Sequence, residues 1–362
     1  MKILIAGGGT GGHLFPALAV AEAFKERDRS NRIVFAGSRR GLESKFVARE
    51  GYELKTIDAG ALKGKGVRGK LRSLAAIPNS LWQSWMLLRS VRPELVLGVG
   101  GYASGPVVLV AWATGYKTAI HEQNSFAGLS NRILGRFVDR VFISFEGSAV
   151  HFPRSKTVLT GNPVRKRLRR GSAASLQGEK KEFTLFIFGG SQGAHRLNQA
   201  MEESLSDLKD LRGKMRIIHQ TGDLDYDYVR GYYEREGVSA EVHRFIHDME
   251  QAYAAADLIL CRAGATTLFE LMAVGKAAIL VPYPYAANDH QTLNAKAMVE
   301  AGAAVTVADG DLNGQVLSRM VREMKDSPEK LKKMGERAAI LAQPRAAEKI
   351  VDLCYSMVKD ES

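Results

Sequence analysis

The residues Lys2-Ile3-Leu4-Ile5-Ala6-Gly7-Gly8-Gly9-Thr10-Gly11-Gly12-His13 decide the fold class. Lys2–Ala6 is a short apolar run with β-branched members, which reads as a buried strand. Glycines and one threonine then turn the chain, and from Pro16 to Lys25 apolar residues recur at helical spacing. Strand, glycine turn and helix in that order open a βαβ unit.

Outward from this unit the order repeats. Arg32–Ala36, Leu95–Val99, Thr118–His121 and Arg140–Ser144 read as further strands. Val107–Ala113 is apolar enough for a buried strand or helix. After Glu182 the pattern restarts: Phe183–Phe188 is an apolar run, Gly189-Gly190-Ser191-Gln192-Gly193-Ala194 is a turn, and a helix starts near His195. Arg216–Gln220, Leu258–Cys261, Ala278–Val281 and Ala304–Val307 follow as strands. One α/β architecture, a parallel sheet with helices on both faces, is therefore used twice. A length of 362 residues also suits two domains. The expected division is 1–162 and 163–343, with a closing helical segment 344–362. The linker is expected between Gly161-Asn162-Pro163 and Lys181, where Gln177-Gly178-Glu179-Lys180 is polar and without periodicity. Open α/β sheets bind ligands at the carboxyl ends of their strands, so two such domains are expected to face a central cleft.

The composition is that of a globular chain, 45% hydrophobic and 25% charged. Two distant cysteines, Cys261 and Cys354, argue against a disulfide framework or a zinc site and fit a reducing compartment. No signal peptide is read, and no apolar run approaches the roughly 18 residues of a spanning helix. The net charge of +12 favours polyanionic partners. From Ala59 to Pro93 there is no acid, while Lys63, Lys65, Arg68, Lys70, Arg72, Arg89 and Arg92 fall there. A second basic run is Arg165-Lys166-Arg167 with Arg169-Arg170. No nucleic-acid motif accompanies either run.

Gly7, Gly9 and Gly12 formally satisfy the dinucleotide fingerprint GxGxxG. That fingerprint wants an acid about 20 residues on. Here the second strand ends in Gly37-Ser38-Arg39-Arg40, which at most suits the 2′-phosphate of NADP. A P-loop is excluded by the absence of GxxxxGK[ST]. What remains is a turn that lets backbone N–H groups and a helix N-terminus approach phosphate, diphosphate or a developing anion. A third such turn is Gly98-Val99-Gly100-Gly101-Tyr102-Ala103-Ser104-Gly105-Pro106. His13 begins a helix at the end of the first strand, and its ordinary pKa of about 6.5 suits a general base. Glu270 lies in Cys261-Arg262-Ala263-Gly264-Ala265-Thr266-Thr267-Leu268-Phe269-Glu270. It is either a helix acid capping Thr266 or Thr267, or an acceptor for two ribose hydroxyls. Asp223-Leu224-Asp225 and Asp309-Gly310-Asp311 spell DxD, but read as a helix N-cap and a turn, so no metal site is expected. Trp82, Trp85 and Trp112 lie in the first half. Leu71, Leu74, Ile77, Leu81, Trp85 and Leu88 recur at helical spacing beside the acid-free segment, interrupted at Pro78. This stretch is either a membrane-surface face or a core helix.

Seven segments occur in order along nearly the whole chain: Gly9–His13, Gly101–Pro106, His121-Glu122-Gln123-Asn124, Gly161–Arg165, Gly189–Ala194, Arg262–Ala265 and Asp289-His290-Gln291. Jointly they resemble the MurG family of UDP-N-acetylglucosamine transferases, which complete the lipid-linked disaccharide-pentapeptide of peptidoglycan. The resemblance implies a GT-B fold, inversion without a metal or other cofactor, and a last helix that returns to the first domain. It implies transfer from UDP-N-acetylglucosamine to the 4-hydroxyl of undecaprenyl-linked lipid I, giving lipid II, at the cytoplasmic face of the bacterial inner membrane. Matching positions imply donor contacts at Thr10, Gly11, Gly12, Asn124, Arg165, Ser191, Ile246, Ala265, Thr266, Thr267, Leu268, Phe269, Glu270 and Gln291. Glu270 would hold the ribose, Ile246 the uracil through its backbone, and Ser191 the diphosphate. Tyr102, His121, Glu122 and Asn131 match the acceptor side. His13 is the expected base, with Glu122 the other candidate. The family's membrane face lies in its first domain, favouring an anionic membrane surface as partner for Trp82–Leu88. A UDP-sugar epimerase and a non-catalytic basic lipid-surface protein are the rival readings.

Overall fold

A computed structural model describes residues 1–38, 43–58, 67–170 and 182–359, with side chains 45, 67–76 and 169–170 outside the description. Arg39-Arg40, Lys63, Lys65, the Lys70 and Arg72 side chains and the Gln177–Lys180 segment therefore lie outside the described residues. The chain forms two compact units, Met1–Arg165 with Pro344–Ser362, and Lys166–Gln343.

The first unit holds β1 Lys2–Ala6, β2 Arg32–Ser38, β3 Glu53–Ile57, β4 Leu95–Gly98, β5 Lys117–Glu122, β6 Arg140–Ile143 and β7 Thr157–Leu159. All pair in parallel, in the order β3-β2-β1-β4-β5-β6-β7. Alternation along each strand divides the core between two faces. Ile3, Ile5, Phe35 and Leu97 pack against Leu14, Ala17 and Phe24 of the helix Gly11–Arg27. Leu4, Val34 and Val96 point the other way, toward Leu87, Leu88 and Val91 of the helix Val67–Val91 and Val107 and Ala111 of Ser104–Ala113.

The last helix, Ala346–Lys359, belongs to this unit. Its Ile350, Val351 and Cys354 join the Leu14 face of the core. Asn31 Nδ2 donates to Phe24 O and to Tyr355 Oη, and Arg27 pairs with Asp352 at 3.2 Å.

The second unit holds β8 Phe183–Phe188, β9 Met215–Gln220, β10 Ala240–His243, β11 Leu258–Cys261, β12 Ala278–Leu280 and β13 Val305–Thr306. Their order, β10-β9-β8-β11-β12-β13, repeats the doubly wound arrangement of the first sheet. In both sheets the order reverses beside the strand that opens the unit, at β1/β4 and β8/β11. That reversal is where such sheets bind ligands.

Three sequence expectations change, and one open alternative, at Val107–Ala113, is resolved. The first helix begins at Gly11, five residues before Pro16, so two glycines serve as its first turn. Val107–Ala113 is helical, within Ser104–Ala113. The helix Val67–Val91 runs through Pro78 without a break. Strands β3, β7 and β10 are additional.

Candidate active site

The glycine turns of the first unit interlock. Gly7 donates to Ala36 O at 2.9 Å and Gly8 to Gly100 O at 3.2 Å. Gly7, Gly8, Gly9, Gly100 and Gly101 all have positive φ. A Cβ on Gly101 would stand 2.2 Å from Gly8 O, and one on Gly7 2.3 Å from Gly100 O. Only glycine lets the β1 and β4 turns close on each other here. The first unit also has an acid that the sequence reading missed. Glu43, in the helix Glu43–Arg49, is 1% exposed, and its Oε1 accepts from Ser38 N at the end of β2. A Cβ on Gly8 would strike its carboxylate, so it lies beneath the first turn. Its distance along the chain hid it.

His13 lies on the first turn of the helix Gly11–Arg27, with its ring against Gly100. Its Nδ1 meets Gln123 Oε1 at 3.1 Å. Gln123 Nε2 in turn contacts Val99 O at 2.9 Å and His121 Nδ1 at 3.1 Å. His121 Nε2 meets Gly161 O and Ser144 Oγ, each at 3.2 Å. Burial drives the pKa of His121 down to about 4, so this ring is neutral at neutral pH. Thr10 is the N-cap residue, yet its side chain makes no capping bond.

Glu122 and Asn131 are buried beside this chain. Glu122 accepts from Asn124 N at 3.0 Å, Asn124 Nδ2 at 3.3 Å, Gly128 N at 3.0 Å and Asn131 Nδ2 at 2.9 Å. The carboxylate thus ties the loop after β5 to the following helix, Leu129–Leu134. Tyr102 is half exposed at the start of the Ser104 helix. The Arg165 guanidinium lies over the Phe15 ring, 4.7 Å from its centroid, one turn along from the first glycines.

In the second unit, β8 ends in a turn closed by Gly193 N to Gly190 O at 3.1 Å. Gln220 Nε2 donates to Gly190 O, and its Oε1 accepts from Ile246 N at 2.7 Å. The turn is therefore tied to Ile246 through one side chain. Ser191 is half-buried within it. His195 opens the helix His195–Ser204 and meets Asp225 Oδ2 at 2.9 Å. Asp225 also accepts from Asn198 Nδ2 at 2.7 Å; it is the N-cap residue of the helix Tyr226–Arg235, as read, though its side chain makes no capping bond. Asp309 of the other DxD pairs with Arg262 at 2.5 Å.

Ala265–Val274 is a helix with Gly264 as N-cap and left-handed Gly275 as C-cap. Glu270 is 5% exposed and accepts from Tyr253 Oη at 2.9 Å, so it is not a solvated acid, and with Gly264 as N-cap it lies beyond the N3 position of a capping box. Successive helical residues turn by about 100°, so the six residues from Ala265 cannot all face one ligand. Leu268 and Phe269 are buried side chains; the N-terminal backbone of Ala265–Thr267 and Glu270 remain as polar groups. Gln291 Oε1 accepts from Tyr283 N at 3.0 Å. Each unit thus gathers its own residues, His13 with His121, Glu122, Asn124 and Asn131 in the first, Ser191 with Ile246 in the second.

Residues 3–143 match the glycosyltransferase family 28 N-terminal domain, and residues 184–350 the family's C-terminal domain. The chain belongs to glycosyltransferase family 28. Its two units are the Rossmann-like domains of a GT-B fold. The family 28 chain is 48% identical, over 99% of both sequences, to the UDP-N-acetylglucosamine--N-acetylmuramyl-(pentapeptide) pyrophosphoryl-undecaprenol N-acetylglucosamine transferase of Syntrophus aciditrophicus. The crystal structure of Acinetobacter baumannii MurG is similar at 31% identity, with a TM-score of 0.79 and coverage of 98% of this chain and 99% of that one. The resemblance to the MurG family read from the motifs is borne out. A UDP-GlcNAc 2-epimerase from Neisseria meningitidis shares the fold alone, at 14% identity and a TM-score of 0.70, with 97% and 99% covered.

Proposed function

We propose that this family 28 glycosyltransferase moves N-acetylglucosamine from UDP-N-acetylglucosamine to the 4-hydroxyl of undecaprenyl-linked lipid I, with inversion. The observation that carries the reading is the pairing at the two sheet reversals. In the first unit a glycine turn stands beside a held imidazole, His13. In the second a glycine turn stands with a helix N-terminus and a buried carboxylate, Glu270. Single displacement needs a base on the acceptor hydroxyl and stabilisation of departing UDP. His13 supplies the first. The Ser191 turn and the N-terminus of the Ala265 helix supply the second, since backbone N–H groups and the helix dipole favour a diphosphate.

Glu270 holds the ribose. The Ile246 N–H already serves Gln220, so its carbonyl is the group left to receive the uracil N–H. Thr10, Gly11, Gly12 and Asn124 border the reacting sugar, and Gln291 and Arg165 complete the donor contacts. Tyr102, His121 and Asn131 line the acceptor side. Glu122, with four N–H bonds accepted, shapes the loop that carries Asn124 and does not take the proton. Radiolabelled UDP-N-acetylglucosamine with a soluble-tail lipid I analogue tests the reading. Labelled disaccharide product is expected with and without chelator; an epimerised sugar nucleotide formed without acceptor would contradict it.

The acceptor's lipid requires a membrane surface. Trp82, Trp85 and Met86 on the helix Val67–Val91 are exposed, as are Trp112 on the adjoining Ser104 helix and Leu129 and Ile133 beyond it. Arg89 lies 4.9 Å over the Trp85 ring. Leu87 and Leu88 face the core, so one helix serves both the packing and the exposed face. Among the described residues no helix is long and apolar enough to cross a membrane. An apolar, aromatic face with basic neighbours suits an anionic bilayer surface, here the cytoplasmic leaflet. Trp82→Ser with Trp85→Ser is expected to weaken co-sedimentation with anionic vesicles severalfold; unchanged binding would move the contact elsewhere.

A further inference from the structure

We propose that Gln123 is a positioning residue that fixes His13 as the tautomer protonated on Nδ1, making Nε2 its basic nitrogen. The inference rests on the reading of His13 as the base. It follows from one carbonyl. Val99 O can only accept, so the Gln123 atom 2.9 Å from it must be the amide nitrogen. The opposite orientation would set two acceptors against each other in a site where Gln123 is 2% exposed. The amide oxygen therefore faces His13, and an oxygen without a hydrogen requires the proton on His13 Nδ1.

The far side of the amide agrees. Its second N–H points at His121 Nδ1, 3.1 Å away, which must then be unprotonated. The His121 proton falls on Nε2, where the Gly161 carbonyl accepts it at 3.2 Å. This is the neutral ring that burial independently demands. Both N–H bonds of Gln123 are committed, so the side chain cannot rotate without losing two partners. Gly100 holds the imidazole from the other side: a Cβ there would lie 2.8 Å from His13 Nδ1 and Cε1. A neutral amide thus does what a carboxylate does in many histidine dyads, setting the tautomer without adding charge beside the base. The acid next to it in sequence, Glu122, is spent on the loop instead.

The test reads the tautomer directly, by two-bond ¹H–¹⁵N spectra of ring-labelled full-length protein, with the His13 signal assigned by its loss in His13→Ala. In the parent protein His13 is expected as a single Nδ1–H species. In Gln123→Leu it is expected to become a mixture, with kcat lowered about tenfold or more while the UDP-N-acetylglucosamine KM stays within about twofold. An Nε2–H ring in the parent protein overturns the proposal, and so does a tautomer or kcat untouched by the substitution. The parent spectrum decides even where the variant fails to fold. Because no turnover is needed to read it, failure of the base reading, seen as near-parent activity of His13→Ala, is separable from failure of this proposal.

Discussion

His13 and His195 stand at equivalent places in the two units, each seven residues past the opening strand (13 − 6 and 195 − 188). Each follows a glycine turn and lies in the first turn of a helix. Their partners differ. His13 is half-buried against the amide of Gln123, itself linked to a buried neutral histidine. His195 is 62% exposed and leans on the carboxylate of Asp225. A repeated fold therefore carries two different local chemistries. The first unit holds an imidazole against a buried amide. The second ties its glycine turn to Ile246 through the Gln220 side chain.

The largest effect expected from this contrast is on turnover. His13→Ala should lower kcat by about 10²-fold or more, the usual worth of a general base. His195→Ala should change it within about fivefold, since an exposed pair contributes about 1 kcal/mol or less. Equal losses at the two positions, measured in the same transfer assay, would erase the distinction. Next is Glu270→Ala, which should raise the donor KM about tenfold or more through lost charged hydrogen bonds. An unchanged KM would remove Glu270 from the ribose.

Smaller again is the acid response. Burial lowers the pKa of His121 to about 4 and of His219 to about 3. Both folded values lie below the unfolded value of 6.5. The unfolded chain therefore binds more protons, and stability present above pH 6.5 is lost as pH falls toward the folded values. At pH 5 the loss is about 2 kcal/mol for each ring. Calorimetry of His219→Gln should show a flatter pH dependence between 6.5 and 5 than the parent; an identical slope would mean that the ring takes up its proton in the folded protein as readily as in the unfolded chain.

Much of this was legible in the chain. Lys2–Ala6, Phe183–Phe188 and Leu258–Cys261 are central strands, buried on both faces, and their continuous apolar runs mark them to the residue. The strands that escaped notice carry weaker signals. β3 and β10 lie at sheet edges, where Glu53, Lys55, Glu241 and His243 break the run. β7 is only three residues long. Helix starts moved because Gly11 and Gly12, read as turn, are helical.

At the site, residue types were readable but partners were not. The His13–Gln123 contact spans 110 residues, and no local pattern encodes it. Glu122 looks like a base in sequence; the three-dimensional course of the loop is what fills its oxygens with N–H donors. The six residues from Ala265 read as one contact strip because a sequence does not show helical rotation, which turns Leu268 inward.

The division of labour between the units is tested most directly by titration calorimetry of UDP into His13→Ala and Glu270→Ala. His13→Ala should bind UDP with the parent's affinity and Glu270→Ala about tenfold or more weakly. Weakened binding by His13→Ala together with parent-like binding by Glu270→Ala would contradict the account.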